Sequence, residues 1–282
     1  MTVVVLGDVG GQTRVYRDAL LSLGIDPDEC IIPEGITLIQ VGDVVRFNPN
    51  PHLDSLGCVE ISDRLIKNNP ESYIQLLGNH DLALVGGARD PHWKVYDLPE
   101  SREYVEKWWA EGTASLGVCL TSTNGGGKDI LITHAGLGRN YWEKISGGNA
   151  LETASALNAL VGQDVAEFEV PGHLVTGQDN IHADTAWALV GPEFHSTWQN
   201  EVMPFNQIHG HACLIEWESK SYWPDVIPEV IASTEINWSH RYTVTTRPDG
   251  TWIRSVDWIL KNDPIDFEWP ILHLDDYAVA KA

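Results

Sequence analysis

The sequence predicts an α/β fold whose core contains a parallel β-sheet. Three apolar segments, at 2–6, 36–41 and 72–77, have the length and composition of buried strands, and each runs into a glycine. Helical segments separate them, so successive strands need crossover connections, which favour parallel pairing. In sheets of this kind the functional site lies beyond the carboxyl ends of the strands.

Two helices are predicted between these strands. Apolar residues recur at helical spacing over 13–23, where Gly24 ends the pattern. The second helix is predicted at 53–66, and its apolar residues lie on one side. The segment that follows the third strand, 86–100, contains Gly-Gly, Asp-Pro and Leu-Pro pairs and predicts a long loop.

Long loops in compact domains often bind ligands or close over a site. Trp93 and Tyr96, within this loop, would either stack on a base or pack the loop against the protein. Packing is the favoured interpretation.

A third helix and a hairpin are predicted next. The helix covers 102–111, and the strands of the hairpin cover 116–121 and 129–133. They flank Asn124-Gly125-Gly126-Gly127, which is typical of a hairpin turn.

The segment 139–205 is helical or irregular in pattern, with its clearest helix at 151–160. We expect one domain over 1–282, in which 139–205 forms a helical cap insert over the site. The C-terminal part is predicted to be β-rich, and its tail from Asp263 is expected to wrap the surface. Strands are predicted there at 212–217, 226–232, 241–246 and 251–256.

The charge of the chain limits its partners. Asp and Glu number 40 against 18 Lys and Arg, which gives a formal net charge of -22. No basic stripe is visible, so binding to a nucleic-acid duplex is not expected. An anionic substrate would need local positive charge, which bound metal ions would supply.

The cysteines are scattered and form no Cys-x-x-Cys pair, so reduced thiols are expected. A strand begins almost at the first residue, and no apolar run reaches membrane-spanning length. We therefore expect a cytoplasmic location and no membrane contact.

Five short segments each place a metal-ligand residue type after a predicted strand. They are Gly7-Asp8, Gly42-Asp43, Gly78-Asn79-His80-Asp81, Thr133-His134 and Gly210-His211. Each alone also fits an ordinary turn or a buried histidine. Two carboxylates that face one crevice repel each other unless cations lie between them. Together the segments indicate a site for divalent cations, whose usual chemistry is the hydrolysis of phosphate esters.

The order of these motifs resembles that of the calcineurin-like metallophosphoesterases. The resemblance is to the branch that holds phosphoprotein phosphatases and symmetrical diadenosine tetraphosphatases, and it spans roughly 2–215. It implies a four-layer α/β/β/α metallophosphoesterase sandwich with two central mixed sheets and a site at one sheet edge. It also implies two divalent metal ions, from among Mn, Fe, Zn, Ni and Mg.

The resemblance implies a role for each matching residue. Asp8 would hold the first ion and Asp43 would bridge both, while the second ion would be completed by Asn79, His134 and His211. A metal-bridging hydroxide would attack the phosphorus of a phosphorylated small molecule or peptide.

Further residues would complete the reaction. His80 would act as the general acid, with Asp81 as its orienter, and Arg46 and Arg139 would bind phosphate.

The chain departs from the family pattern at the first ion. The histidine of the first motif is replaced by Gly10, a second histidine is replaced by Cys213, and the acidic residue usual before Arg46 is missing. Substitute ligands are sought among Cys213, His209, Gln12, His182 and Asp184.

Three hypotheses follow from this pattern. The first is an active two-metal phosphoesterase. The second is a weak or inactive relative with an incomplete metal site that binds a phosphorylated ligand or protein partner. The third is a nucleotide-binding protein without metal, although Gly7, Gly10 and Gly11 do not fit the dinucleotide fingerprint.

Overall fold

The computed structural model describes residues 2–47, 53–91, 93, 98–256 and 271–280. The strands of this part of the chain are β1 (Thr2–Leu6), β2 (Ile36–Gln40), β3 (Tyr73–Gln75), β4 (Val118–Ser122), β5 (Ile130–Thr133), β6 (Asn206–His209), β7 (Ile215–Glu216), β8 (Ser221–Tyr222), β9 (Thr234–Asn237), β10 (Tyr242–Thr246), β11 (Trp252–Ser255), β12 (Ile271–Leu274) and β13 (Tyr277–Val279). The α-helices are α1 (Thr13–Ser22), α2 (Ser55–Asn68), α3 (Asn79–Leu82), α4 (Pro99–Glu111), α5 (Arg139–Ile145), α6 (Ala150–Asn158), α7 (Val165–Phe168), α8 (His173–Thr176) and α9 (Pro228–Ala232).

Two mixed sheets form the centre of the fold. The first has the order β12-β1-β2-β3, with β1, β2 and β3 parallel and β12 antiparallel to β1. The second has the order β13-β4-β5-β6-β11-β10-β9, in which β6 runs parallel to both β5 and β11. The predicted α/β/β/α sandwich is therefore confirmed as the fold class.

The alternation of side chains along the strands explains why the sheets face each other. Val3 and Val5 of β1 are fully buried in a cluster with Ile132 of β5 and Ile208 of β6, between the two sheets. The intervening Val4 belongs to the other large cluster, which includes helix residues. Successive side chains of a strand point to opposite faces, so an entirely apolar β1 fills both layers of the core.

Helices cover the outer faces. Helix α2 packs on β3, α1 and α4, and α6 packs on β4 and β5. The cap of α2 is the Asp54 carboxylate, which accepts from the Gly57 N–H at 2.9 Å. Helix α6 begins with a reciprocal pair between Asn149 and Glu152. Within the described residues, the helices are too short or too polar to cross a bilayer.

Most predicted elements of the first half and the hairpin are confirmed. The hairpin pairs β4 with β5 in antiparallel register, with Val118 opposite Ile132. The segment between β5 and β6 carries α5 to α8, then a π-helical turn at Val190–Phe194 and a 3-10 turn at His195–Trp198.

The C-terminal predictions need correction. The strand predicted at 226–232 is wrong, because Pro228 begins helix α9 there. Proline is well suited to the first turn of a helix, where its missing N–H costs nothing. The strand predicted at 212–217 is reduced to β7, and β6 lies just before it.

The tail was predicted to wrap the surface, but its last part joins both sheets. Strand β12 pairs with β1, and β13 pairs with β4. Residues 263–270, where that prediction began, lie outside the described residues, as does Tyr96.

Candidate metal centre

The ends of the parallel strands bring the predicted ligands together. The ligand atoms of Asp43, His134 and His211 lie within 4.8 Å of one another. The Oδ1 atom of Asn79 is 3.1 Å from His134 Nε2 and 3.0 Å from His211 Nδ1. All four side chains are buried. Asp43 and Asn79 follow strands of the first sheet, whereas His134 and His211 follow strands of the second.

Glycines allow this close approach. A Cβ atom on Gly78 would overlap Asp43 Oδ1 and lie 2.6 Å from His134 Cε1. A Cβ atom on Gly210 would overlap Asp8 Oδ1. The backbone beside the ligands is therefore packed against them, and a side chain at either glycine would displace a ligand.

The tautomer of His134 directs a lone pair into the cluster. Its Nδ1–H donates to the carbonyl of Val41 at 2.9 Å, so a neutral ring presents Nε2 as an acceptor. Nε2 faces Asp43 Oδ1 at 3.4 Å as well as Asn79 Oδ1. Electron pairs that converge in this way are stabilised by a cation or a proton between them.

The electrostatics agree with that conclusion. Burial alone would lower the pKa of His134, but the carboxylates of Asp43 and Asp8 outweigh it and raise this pKa to about 10. Burial and the charge of His134 together lower the pKa of His211 to about 3. The acidic pocket thus favours positive charge at the cluster. Without an ion a proton on His134 supplies that charge, and a bound ion would replace this proton, while His211 is already neutral.

The donor set fits one divalent ion. One carboxylate, one amide oxygen and two imidazole nitrogens suit Mn, Fe, Zn or Ni, whereas Mg prefers oxygen ligands. The Nε2 atom of His211 is buried and has no hydrogen-bond partner among the described residues. Buried polar atoms are almost always paired, so an unpaired one at this position favours a bound ion or water.

The predicted first ion has fewer ligands. Asp8 Oδ2 accepts from the His211 N–H at 2.9 Å, which fixes the carboxylate at the edge of the cluster. Gly10 offers no side chain, and the space beside it holds Arg46. A Cβ atom on Gly10 would lie 3.5 Å from Arg46 Nη1 and 3.6 Å from Arg46 Cδ.

The proposed substitute ligands mostly lie elsewhere. Cys213 is buried in the core, and its Sγ donates to the Ile215 carbonyl at 2.8 Å. His209 Nδ1 donates to the Gly210 carbonyl at 2.9 Å. His182 is exposed.

The last two candidates differ from each other. The carboxylate of Asp184 accepts from the backbone N–H groups of Val170 and Ala186 and is turned into the insert. Gln12, in contrast, lines the cavity at the site, and it alone of the five candidates does so.

His80 lies at the same cavity. Its Nε2 atom is 3.9 Å from Asp43 Oδ2, and its Nδ1 accepts from the Phe47 N–H at 3.4 Å. The ring stacks on Trp93, with centroids 4.0 Å apart and planes at 21°. Burial lowers the pKa of His80 to about 4, so the ring is neutral at pH 7 and carries its proton on Nε2.

The structure corrects the role predicted for Asp81. Its carboxylate accepts from the backbone N–H groups of Gly78, Val44 and Val45, at 3.0, 3.0 and 3.2 Å. These bonds tie the loop after β2 to the start of α3, so Asp81 organises the backbone and does not orient the His80 ring.

The two predicted phosphate-binding arginines have different surroundings. Arg46 lines the cavity, as predicted for a phosphate ligand. Arg139, at the start of α5, pairs with Glu143 at 2.9 Å and Glu201 at 2.6 Å and does not line the cavity. Two carboxylates already pair with its guanidinium, so these contacts do not support the assignment of Arg139 to phosphate, which stays a prediction.

The cavity is a small cleft at the site. Its volume is about 170 Å³, and it opens to solvent. Leu174 reaches it from the segment between β5 and β6. Trp93 lines it and also stacks on Phe47 and Trp187, at 5.1 and 5.6 Å, so the packing role predicted for Trp93 agrees with its contacts. The cavity is lined by Asp8, Gly10, Gln12, Asp43, Val45, Arg46, Asn79, His80, Asp90, Trp93, Leu174 and His211.

Comparison with known proteins gives similarity in structure alone. No protein-family model matches the chain, and no curated protein matches it in sequence. A solved structure of a mutant cold-active protein tyrosine phosphatase has a TM-score of 0.51 at 15% identity, over 90% of this chain and 80% of that one. The cold-active protein tyrosine phosphatase of a psychrophilic Shewanella has a TM-score of 0.49 at 14% identity, over the same shares of the two chains.

A third structure is more distant. A serine/threonine phosphatase from Saccharomyces cerevisiae has a TM-score of 0.44 at 14% identity, over 95% of this chain and 82% of that one. At these identities the first of the three structures supports the fold, and activity has to be argued from the site itself.

Proposed function

We propose that this protein is a divalent-metal-dependent phosphoesterase that hydrolyses a phosphate ester or a phosphoanhydride. The observation that carries the proposal is the convergence of Asp43, Asn79, His134 and His211 at one cavity that also contains His80. This combination provides a cation site, a proton donor and an open volume for substrate, which hydrolysis of phosphate requires. The similar structure with a TM-score of 0.51 is that of a phosphatase, which supports the same class.

The residues of the site would have separate roles in binding the ion and the substrate. Asp43, Asn79, His134 and His211 would hold the ion. When bound, a divalent ion neutralises phosphoryl oxygens and lowers the pKa of water. Arg46 would bind a phosphoryl oxygen through its fixed charge.

His80 would serve as the general acid. It is neutral at pH 7 and carries a proton on Nε2, which lies 3.9 Å from Asp43 Oδ2 on the side of the ligand cluster. From there its N–H can donate a hydrogen bond to the leaving oxygen. Transfer of a proton requires the imidazolium form, which the negative charge of a bound phosphate group would favour. The stacked ring of Trp93 fixes the orientation of His80.

The substrate class is an anionic phosphorylated small molecule or peptide. The cleft opens to solvent and is lined by Arg46 and His80, so it can receive the phosphoryl group of either. A second candidate function is the binding of a phosphorylated ligand without efficient turnover. The absence of a side chain at Gly10 favours it, because the first ion then lacks an imidazole.

A metal-dependence assay tests the proposal. The chain is treated with EDTA, reloaded with Mn²⁺ and assayed with p-nitrophenyl phosphate. We expect Asn79→Ala and His134→Ala to reduce turnover by at least about a hundredfold, since even an outer partner of a ligand is worth 10–100-fold.

The exposed His182 provides the control, because His182→Ala removes an imidazole outside the cavity. Circular dichroism checks that all three variants remain folded. Full turnover in His134→Ala would refute the ligand assignment. Ligand binding without turnover in the wild type would support the second candidate instead.

A further inference from the structure

We infer that the centre binds one divalent ion per chain. The guanidinium of Arg46 takes the place of the positive charge that a second ion would supply. The inference rests on the proposed function and refines it. It concerns the position beside Asp8 and Gly10, where the resemblance implies an ion held partly by a histidine.

Arg46 lies next to the position from which the missing histidine would extend. The nearest atoms to a Cβ on Gly10 belong to Arg46, with Nη1 at 3.5 Å and Cδ at 3.6 Å. These are contact distances, so a larger side chain at position 10 and the present Arg46 side chain would compete for one volume. Both residues line the same cavity as Asp8.

The backbone holds the arginine in this place. The N–H of Gly10 donates to the Asp43 carbonyl at 2.7 Å, and the N–H of Gly11 donates to the Val44 carbonyl at 3.0 Å. The N–H of Arg46 donates to Ser55 Oγ at 3.1 Å. The loop after β1 and the loop after β2 therefore form one unit, and the proximity of Arg46 to Gly10 follows from that unit.

The described residues provide too few ligand side chains at this position to hold an ion tightly. Among the described residues, one group of three acidic, histidine or cysteine ligands converges, and it consists of Asp43, His134 and His211. Asp8 and Asp90 also line the cavity, but neither belongs to such a group, and Asp8 already accepts from the His211 N–H. A guanidinium a few ångströms away also repels a divalent cation.

Arginine can replace part of what an ion does. It stays charged at every working pH and donates to two phosphate oxygens at once. It can therefore neutralise phosphoryl oxygens, but it has no coordination site for water. In a centre of this kind the single ion would activate water, and Arg46 would neutralise the negative charge of the substrate.

Counting the bound ions tests the inference directly. The full chain is stripped with EDTA, saturated with Mn²⁺, desalted and measured by mass spectrometry, with calorimetric titration as a second count. We expect one ion per chain in the wild type, one in Asp8→Asn and none in His211→Ala. In Asp8→Asn the amide oxygen can still accept from the His211 N–H. The variant therefore tests the negative charge of Asp8 separately from that hydrogen bond.

The outcomes separate the two proposals. Two ions in the wild type, or loss of an ion in Asp8→Asn, would overturn this inference and leave the proposed function intact. A wild-type chain that binds no ion would contradict the proposed function, and this inference with it.

Inorganic phosphate probes the role of Arg46. Arg46→Met keeps the length of the side chain and removes its charge, and we expect phosphate to inhibit this variant at least about tenfold more weakly. Arg46→Lys should recover part of the loss, and both variants should still bind one ion. Unchanged inhibition by phosphate in a folded Arg46→Met chain would overturn the assignment.

Discussion

Two ligands of the candidate site have backbone conformations that most residues avoid. Asp43 has a φ of +52° and His211 a φ of +62°, both in the left-handed region. This region costs a residue other than glycine roughly 1–2 kcal/mol. The cost is tolerated where the surrounding structure fixes the turn, and such outliers gather at functional sites. Asp43 comes after β2 and Gly42, and His211 comes after β6 and Gly210. Each turn therefore directs its side chain into the cluster.

The glycine at position 78 gives the sharpest prediction for a single residue. In Gly78→Ala the added methyl group would overlap Asp43 Oδ1 and approach His134 Cε1 to 2.6 Å, so one ligand must move. We expect Mn²⁺ affinity to fall by about 10–100-fold, in the range seen when ligand orientation is lost. Calorimetric titration of the stripped chain measures it.

A second glycine provides the matched control. At Gly126 the nearest heavy atom to an added Cβ is Asn124 Oδ1, at an ordinary contact distance of 3.4 Å, in the exposed hairpin turn. Gly126→Ala should therefore bind Mn²⁺ as the wild type does. Equal affinity in both variants would mean that the ligands tolerate displacement.

The sequence predicted the ligands of the site but not the contacts between the loops that surround them. Asp43 and His134 could be predicted because each follows a strand, and strand ends meet at one sheet edge. The contact between Gly10 and Arg46 could not be predicted, since it depends on how two loops 36 positions apart bond to each other. The same contact makes Gly10→His a poor route to a stronger first site, because Arg46 and a φ of +51° both oppose it.

At the scale of elements, a buried carboxylate joins α2 to α4. Asp63 of α2 forms ion pairs with Lys67 and, at 3.5 Å, with Lys107. It also accepts from the indole N–H of the buried Trp108 at 3.2 Å. Burial alone would raise the pKa of Asp63, but Lys67, Trp108 and Lys107 outweigh it and lower this pKa below its usual value.

This lowered pKa predicts a dependence of stability on pH. Because the folded state binds the proton less readily than the unfolded state, the contribution of Asp63 is present above pH ~4 and is lost as the pH falls through the folded pKa. We expect Asp63→Ala to lower the free energy of unfolding by about 1.5–3 kcal/mol at pH 7. Urea denaturation should show this difference shrinking below pH ~4.

The exposed Glu106 on α4, which pairs with the half-buried Arg102 at 3.9 Å, supplies the control. Glu106→Ala should change the free energy of unfolding by less than about 0.5 kcal/mol at either pH. A loss in Asp63→Ala that is the same at pH 7 and pH 3 would show that the charge of Asp63 is not its cause.

The C-terminal elements show why local pattern fails in places. Residues 226–232 are apolar enough for a strand, but a short apolar run does not distinguish a buried strand from a helix. The position of Pro228 was the available signal for α9. Strand β12 was not predicted, because its apolar residues Leu272 and Leu274 gain their role only by pairing with β1, far away in the chain.

At the scale of the whole molecule, the fold could be predicted further than the details of the site. The alternation of strands and helices indicated the first sheet. The order of the motifs indicated that the whole fold is similar to a two-sheet sandwich. The C-terminal strands could not be placed in the same way. Strand β12 extends the sheet begun by β1 while β13 extends the other, so the last described residues join both halves.

The candidate ion would join the same two halves. Asp43 and Asn79 extend from the first sheet, and His134 and His211 extend from the second. An ion that binds only the folded chain stabilises it by about 2.7 kcal/mol at a hundredfold excess over its Kd. For a chain of 282 residues, this corresponds to a rise in Tm of roughly 5 °C.

Thermal denaturation with and without EDTA measures this coupling between the sheets. We expect EDTA to lower the Tm of the wild type by that amount, and excess Mn²⁺ to restore it. In His211→Ala the Tm should be lower at the start and insensitive to both additions, because the ion then lacks a ligand from the second sheet. His182→Ala should respond as the wild type does, since its imidazole lies outside the cavity. A wild-type Tm that EDTA leaves unchanged would mean that no bound ion couples the two sheets.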